Sequence, residues 1–451
     1  MSFSTLSFIF AFLPMSLLLY LIVPKVLKKF ILILISLIFY AWGDISNLLY
    51  LVIASLFIYM TGLELDVCFK EQKQKEKRII FFGSVALIIG MLAFFKYAGF
   101  MSMPIGVSFF TFSLISYLAD VYMKKAEVEH NIINYLLYVT YFPKLISGPI
   151  VQYHTFRKSL DSMQMTKIKF AHGCQQFILG LVKKVLIADV ISKAFSSMSS
   201  IHSMSVLGSW LMVIFYALQL YFDFSGYSDM AIGLSYMFGM PMEDNFNEPY
   251  ASQSISDFWR RWHISLGHFF RDYVYIPLGG NRCSTMRQIF NLTVVWLLTG
   301  IWHGNTICFL VWGLYHGFFI ILEKFVYGKG LKKLHVFWRV IYTDFLVFIG
   351  WIFFFSPSIH KALDTIAHLF GHGVNGFTDT AFFYYFTSYF IVLLFAVLLC
   401  IPKIRELYRK STYGDSVVTT YLSGLLYLGA FVLCLAYIVS STYSSFLYFK
   451  F

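Results

Sequence analysis

The sequence predicts an all-α polytopic membrane protein, and three observations carry the prediction. Of its 451 residues, 59% are hydrophobic and only 13% are charged, against about 25% charged in a soluble domain. Apolar runs of about 20 residues, the length that crosses a bilayer, recur along the chain. The basic residues gather in short clusters between those runs, as they do in cytoplasmic loops. A water-soluble fold could not hide so much apolar side chain. A soluble globular enzyme, a disordered chain and a secreted disulfide scaffold are therefore excluded.

The first apolar run, residues 3–23, has no basic segment before it and no small-residue cleavage site after it. It reads as a retained span and not a removed signal peptide. Further spans are expected at 30–62 as a close pair, 79–95, 102–121, 131–150, 172–192, 207–240, 288–323 as a broken pair, 337–356, 381–401 and 418–441. The sum is about 10–12 helices crossing or entering the membrane, including re-entrant pairs. They are read as one integral membrane domain over residues 1–451, with a catalytic segment at 251–323. No internal repeat is visible, which counts against an inverted-repeat transporter.

A net charge of +12 raises nucleic acid as a partner. The clustering of the cations argues for membrane lipid and against nucleic acid. If the loops at 25–29, 66–78, 122–130, 153–170, 241–290, 324–339 and 402–416 are cytoplasmic, they hold 28 of the 35 Lys and Arg. Both termini then lie on the extracytoplasmic side. The six cysteines show no paired spacing and read as small buried hydrophobes, with no disulfide framework and no zinc site indicated.

Residues 292–322 contain no Asp, Glu, Lys or Arg. As one helix they would extend about 46 Å at 1.5 Å per residue, too long for one comfortable crossing. Gly300 and Gly304 are the expected break points, which puts His303 at the tip of a broken hairpin. Irregular backbone at membrane depth needs protein or a water-filled cavity around it. Residues 256–273 predict a helix lying at the membrane surface, with Ser256 as N-cap and Asp257 in the first turn. Phe258, Trp262, Leu266, Phe269 and Tyr273 share one stripe, and Arg261, His268 and Asp272 another.

An imidazole inside an uncharged apolar run is costly unless it faces protein or water. Burial also disfavours its charged form, which suits His303 to act as a general base. The alternative is a structural histidine bonded to neighbouring helices. His263 is the second candidate and converges on His303 if the surface helix packs over the hairpin; otherwise it is an interfacial residue. A two-histidine metal site lacks a third ligand at a convincing spacing. His316 reads as a packing residue among small neighbours. Asp223 and Asp229 are either a proton relay or buried hydrogen-bonding groups. Arg271 and Arg282 could meet the phosphates of a coenzyme or a lipid headgroup, or simply face solvent. No phosphate-cradling Gly-Lys motif, Gly-x-Ser-x-Gly elbow or His-Glu-x-x-His is present.

An ordered set of stretches resembles a known family. It comprises Phe94-Phe-Lys-Tyr97, Pro104-Ile-Gly-Val-Ser-Phe-Phe-Thr111, Tyr141-Phe-Pro-Lys-Leu-Ile-Ser-Gly-Pro-Ile150, Asp223-Phe-Ser-Gly-Tyr-Ser-Asp229 and Asn245-Phe-Asn-Glu-Pro-Tyr250. It continues with Phe258-Trp-Arg-Arg-Trp-His263, Tyr275-Ile-Pro-Leu-Gly-Gly-Asn-Arg282, Leu298-Thr-Gly-Ile-Trp-His-Gly-Asn305, Trp312-Gly-Leu-Tyr-His-Gly317 and Phe446-Leu-Tyr-Phe-Lys-Phe451. The set resembles the membrane-bound O-acyltransferases, in the bacterial branch of alginate and peptidoglycan O-acetyltransferases. Three departures stand out: a short link from Phe100 to Pro104, Ser356 where an Arg follows the aromatic pair, and Lys450 where Arg is commoner.

The resemblance implies a ring of tilted helices around a central funnel in a bacterial cytoplasmic membrane. It implies that His303 is the catalytic histidine and His263 the second polar residue of the site. Asn305, Trp302, Arg271, Arg282, Asp223 and Tyr227 are then expected to bind substrate, with Asn305 or His263 steadying the oxyanion. The implied donor is cytoplasmic acetyl-CoA, with no tightly bound cofactor and no metal. The acetyl group would leave on the outer side through a separate extracytoplasmic polysaccharide O-acetyltransferase. D-alanyl transfer to teichoic acid, and a proton-coupled transporter using Asp223 and Asp229, are the alternatives.

Overall fold

A computed structural model describes residues 2–98, 103–404 and 417–440, the last from 417 to 420 as backbone only. The Phe100–Pro104 link and the aromatic tail at 446–451 lie wholly or partly outside the described residues. Every regular element among the described residues is helical. Among the described residues, eight helices are long and apolar enough to cross a membrane: Lys25–Asp44, Leu48–Lys70, Gln74–Tyr97, Val206–Met237, Ile307–Leu331, Val336–Phe355, Thr380–Leu399 and Tyr421–Ser440. Two shorter apolar helices, Phe8–Ile22 and Val107–Tyr122, accompany them. The protein is thus a multi-pass, all-helical membrane protein.

Backbone contacts separate two compact units. The first holds the described residues up to Phe177 together with Tyr227–Asp244; the second holds Ile178–Gly226 and the described residues from Asn245 onward.

In the first unit, helices α1 (Leu13–Ile22), α2 (Lys28–Asp44), α3 (Leu48–Lys70), α4 (Gln74–Tyr97) and α5 (Val107–Tyr122) are followed by three short ones. These are α6 (Ile132–Thr140), α7 (Phe142–Leu145) and α8 (Tyr153–Asp161). Phe3, Phe8, Phe12, Phe39 and Phe142 build an aromatic core with neighbouring ring centroids 5.1 to 5.7 Å apart. The span expected at 131–150, with Pro143, Gly148 and Pro149 as its break points, is interrupted. It stops at Thr140 and restarts for a single turn at Phe142. Pro143 explains the stop, because inside a continuous helix it would lack a donor and clash with the carbonyl of Val139. Lys144 in that turn is buried, donates to Ser113 Oγ at 2.8 Å and lies 4.2 Å over the Tyr138 ring.

Two helices are divided between the units: α9 (Lys167–Val182), which belongs to the first unit up to Phe177 and runs through a π turn into α10 (Asp189–Ser199) of the second, and the 32-residue α11 (Val206–Met237), which belongs to the first unit from Tyr227 onward. Next come α12 (Ile255–Arg261), α13 (Ile264–Phe270), α14 (Thr285–His303), α15 (Ile307–Leu322) and α16 (Gly328–Leu331). The series closes with α17 (Val336–Phe355), α18 (Ile359–Leu369), α19 (Thr380–Leu399) and α20 (Val417–Ser440). Only Gly304–Thr306 separate α14 from α15, so the run at 288–323 is the expected broken hairpin. Its break is at Gly304 alone. Gly300 stays helical and serves packing: a Cβ there would sit 2.6 Å from the Phe309 carbonyl oxygen, and one on Gly313 would strike the Trp296 carbonyl. Small residues let the two backbones touch, as in other membrane helix pairs.

The surface helix expected over 256–273 also breaks. Its N-cap is Ser254, whose side chain accepts from the Asp257 amide at 3.0 Å, and not Ser256. At Trp262 the backbone turns extended, and His263 takes a left-handed conformation with φ 45°. The aromatic stripe survives the break, with Phe258, Trp262, Leu266 and Phe269 all buried.

Candidate active site

His303 is the last residue of α14 and is 4% exposed. Aromatic rings wall it on several sides. Trp302 and Trp312 lie 4.8 Å away by ring centroids, Phe354 of α17 lies 5.3 Å away, and Phe309 stacks at 6.5 Å. Gly304 makes the wall close, because a Cβ there would fall inside the Phe309 ring. The uncharged run therefore ends in an imidazole packed among aromatic side chains.

His263 is held differently. Asn245 Oδ1 accepts from the Ser265 amide at 3.0 Å and from Ser265 Oγ at 2.9 Å, and lies 3.3 Å from His263 Nδ1. The backbone amide of Ser265 can only donate, so the Asn245 atom facing it is the oxygen. Nδ1 of His263 must then carry the proton, and Nε2 keeps the lone pair. Nε2 has no hydrogen-bond partner among the described residues. Burial pushes this imidazole down to about 3, so it stays neutral at ordinary pH. The left-handed residue is pinned by two backbone bonds to the same loop, Ile264 N to Asn245 O and Asn247 N to Arg261 O, each 2.9 Å. A non-glycine residue at positive φ is costly and persists where surrounding bonds over-determine it.

Trp302 brings the two histidines together. Its indole lies 4.8 Å from the His303 ring and 6.3 Å from the His263 ring. An apolar cavity of about 210 Å³ opens beside His263, lined by Trp259, Trp262, Leu266, Phe270, Arg271, Tyr275, Trp296 and Thr299 among others. A tryptophan layer of Trp259, Trp296, Trp312 and Trp351 encloses His316, with centroids 4.9 to 6.3 Å from its ring. His316 is fully buried. A Cβ at Gly350 would meet its Nε2 at 2.5 Å. That fits the packing role.

The remaining candidates are dispersed. Asn305 is exposed in the hairpin turn. Arg271 reaches the cavity but is paired with Asp272 by two bonds of 2.7 and 3.1 Å. Arg282 is exposed and does not line that cavity. Asp223 is buried against Lys184 Nζ at 2.7 Å, which also holds Asp189 at 2.6 Å. Tyr227 belongs to the first unit, stacked 4.8 Å from Phe3, and Asp229 of that unit accepts from Gln176 at 2.8 Å. Asp223 is thus paired with a cation that it shares with Asp189, and Asp229 with an amide donor, as buried polar groups require.

Two positioning residues escaped sequence reasoning. Asn245 lay in a motif without a role; only folding brings it to His263. Glu323, at the end of α15, caps α12 from 67 residues away. Its oxygens accept from Ile255 N at 2.6 Å, Ser256 N at 2.9 Å and Ser256 Oγ at 2.8 Å. No local signal in the sequence could have shown that contact.

The fold and this site define a multi-pass membrane protein with two buried imidazoles on either side of Trp302 and an apolar cavity beside one of them, His263. Residues 34–359 match the sequence profile of MBOAT, the membrane-bound O-acyltransferase family. The chain belongs to that family and is an acyltransferase. It is 36% identical over 394 residues to a probable alginate O-acetylase, AlgI, of Pseudomonas aeruginosa, covering 83% of this chain and 75% of that protein. It is 32% identical to the peptidoglycan O-acetyltransferase of Helicobacter pylori, over 100% of this chain and 97% of that one. The teichoic acid D-alanyltransferase of Bacillus subtilis is 31% identical over 56% of this chain and 70% of its own length.

Proposed function

We propose that this protein is the membrane component of a bacterial cell-surface polysaccharide O-acetylation system. In this reading it takes the acetyl group of acetyl-CoA from the cytoplasm and delivers it outward, to a separate extracytoplasmic transferase. Both termini lie outside, by the basic-loop bias. The observation that carries the reading is the placement of His303 and His263 around Trp302, with an apolar cavity on the His263 side. Peptidoglycan and alginate-like polymers are the acceptor class, because the relatives named as O-acetylases match most of this chain. The D-alanyltransferase match covers little more than half.

The chemistry follows from the two imidazoles. The thioester arm of the donor occupies the apolar cavity, where water is scarce and proximity contributes much of the rate. His303 withdraws the proton of the acceptor hydroxyl as the oxygen attacks the thioester carbonyl. The C–O bond forms, the C–S bond breaks, and His303 returns the proton to the departing thiolate. His263, with its proton on Nδ1, presents a lone pair at Nε2. It therefore orients a hydroxyl or thiol by accepting from it. It does not donate to the oxyanion, which leaves that task to another donor.

Mass spectrometry of surface polymers tests the reading. In a strain carrying His303→Ala as its sole copy, made and inserted at the wild-type level, acetyl esters should vanish from one polymer, as in a deletion. Esters at wild-type levels would overturn it.

A further inference from the structure

The acyl-transfer step proposed above needs a hydrogen-bond donor for the thioester carbonyl oxygen as it becomes an oxyanion. Such donors work best when held ready in a site that excludes water. His263 accepts at Nε2 and cannot serve. Asn305 is exposed, where water competes for its amide. Trp312 of α15 differs from both. It is 1% exposed, and its indole Nε1–H is buried with no hydrogen-bond acceptor among the described residues. An indole nitrogen can only donate, and a buried one ordinarily finds a partner. His316, one turn further along α15, comes within 5.4 Å by ring centroids, yet neither of its nitrogens has a hydrogen-bond partner among the described residues. The Trp312 ring contacts both the cavity wall and the general base. Its centroid lies 5.5 Å from Trp259 and 6.4 Å from Trp296, two residues that line the apolar cavity. It lies 4.8 Å from the His303 ring and meets it edge-on at 82°. Trp351 stacks on it at 6.0 Å and Phe354 packs 5.1 Å away, so the indole is held in place.

The geometry points to the indole N–H of Trp312 as the donor that receives this oxyanion, which makes Trp312 a catalytic residue beside His303. The acceptor oxygen gives its proton to His303 and bonds to the carbonyl carbon, while the carbonyl π pair moves onto its oxygen. Trp312 holds that charge by a hydrogen bond and keeps its own proton. The charge returns as the C–S bond breaks. The sulfur leaves with the electron pair and takes the proton from His303. Because the N–H has no acceptor beforehand, no bond within the protein has to be given up to use it. The bond is strongest to the full oxyanion, so it lowers the barrier more than it tightens donor binding. The inference rests on the reading of His303 as the base of acetyl transfer.

The test replaces Trp312 in the full-length protein by benzothienylalanine, which keeps the ring shape and puts sulfur in place of the N–H. Inside-out membrane vesicles, from strains holding each variant as the sole copy, are given acetyl-CoA, and release of free thiol is followed. The rate constant kcat should fall about 10²- to 10³-fold, the loss typical of one oxyanion donor. KM for acetyl-CoA and the Tm of the purified protein should stay at their wild-type values. Trp312→Phe, which also removes the N–H, should lose at least as much. The same isostere at Trp210, whose N–H donates to the Leu369 carbonyl at 3.1 Å, should leave kcat unchanged. Wild-type kcat with the isostere at Trp312 would overturn the inference. So would a loss confined to KM or Tm, which marks a packing role. His303→Ala is read separately in the same vesicles. A dead His303→Ala beside an active isostere removes only the role of Trp312, whereas an active His303→Ala removes the reading on which it rests.

Discussion

The two histidines of the candidate site are buried alike, at 4% exposed for His303 and 2% for His263, yet they are built by opposite means. His303 ends a regular helix and is shaped by rings and a glycine. His263 interrupts a helix at positive φ and is fixed by an asparagine oxygen and backbone bonds. The contrast separates two requirements of acyl transfer. On the proposed mechanism, the group that exchanges a proton is set in a packed aromatic wall. A group that must keep one tautomer is tied by directional bonds.

The sharpest break of this comparison is the pair of imidazole deletions. General acid–base catalysis contributes about 10²- to 10⁴-fold. His303→Ala should lower acetyl transfer by at least that, whereas His263→Gln should lose less, because glutamine still offers an acceptor oxygen. Equal losses, measured as turnover of purified protein, would erase the division of roles. Asn245→Ala is the next test. It removes the acceptor of the part-buried Ser265 amide, at a cost of about 1 kcal/mol, and frees the tautomer of His263. Turnover should fall with little change in donor KM, and Asn245→Asp should recover part of it.

Structural variants give smaller effects. Gly304→Ala pushes a methyl into the Phe309 ring and should destabilise the protein by about 1–3 kcal/mol, read as a lower Tm in detergent. Glu323→Ala uncaps α12 and should cost about 0.5–2 kcal/mol; a loss of turnover beyond the loss of folded protein would mark α12 as a positioning helix. A further signal, of comparable size, is in pH dependence. The imidazole of His263 is held near 3, below its unfolded value, so the unfolded chain binds the proton first as pH falls. Its contribution to stability is complete above about pH 6.5 and is lost progressively toward pH 3. The drop in Tm between pH 7.5 and 4.5 should therefore be smaller in His263→Gln than in wild type.

Much of the hairpin was legible in advance. Thirty-one uncharged residues broken by glycine could not be one comfortable crossing, and the break falls beside His303 as expected. Which glycine breaks the run was not legible. Gly300 and Gly304 look alike in sequence, and only the approach of the Phe309 carbonyl to Gly300 makes one of them a packing residue. The surface helix was read correctly as an amphipathic stripe and wrongly as continuous. Periodicity registers which side chains share a face, and the stripe keeps its face across the break at His263. The break depends on Asn245 and Asn247, whose backbones bind it from the preceding loop.

The sequence by itself determined the membrane class, the helical architecture and the hairpin that breaks beside His303. All of these follow from composition, spacing and ordered local motifs. Tertiary structure alone decided the proton position on His263, the capping of α12 by Glu323, the pairing of Asp223 with Lys184 and the approach of Trp259 to Trp312. Those properties belong to pairs of residues far apart in the chain. Their energies depend on distances of a few ångströms, which a linear pattern does not contain.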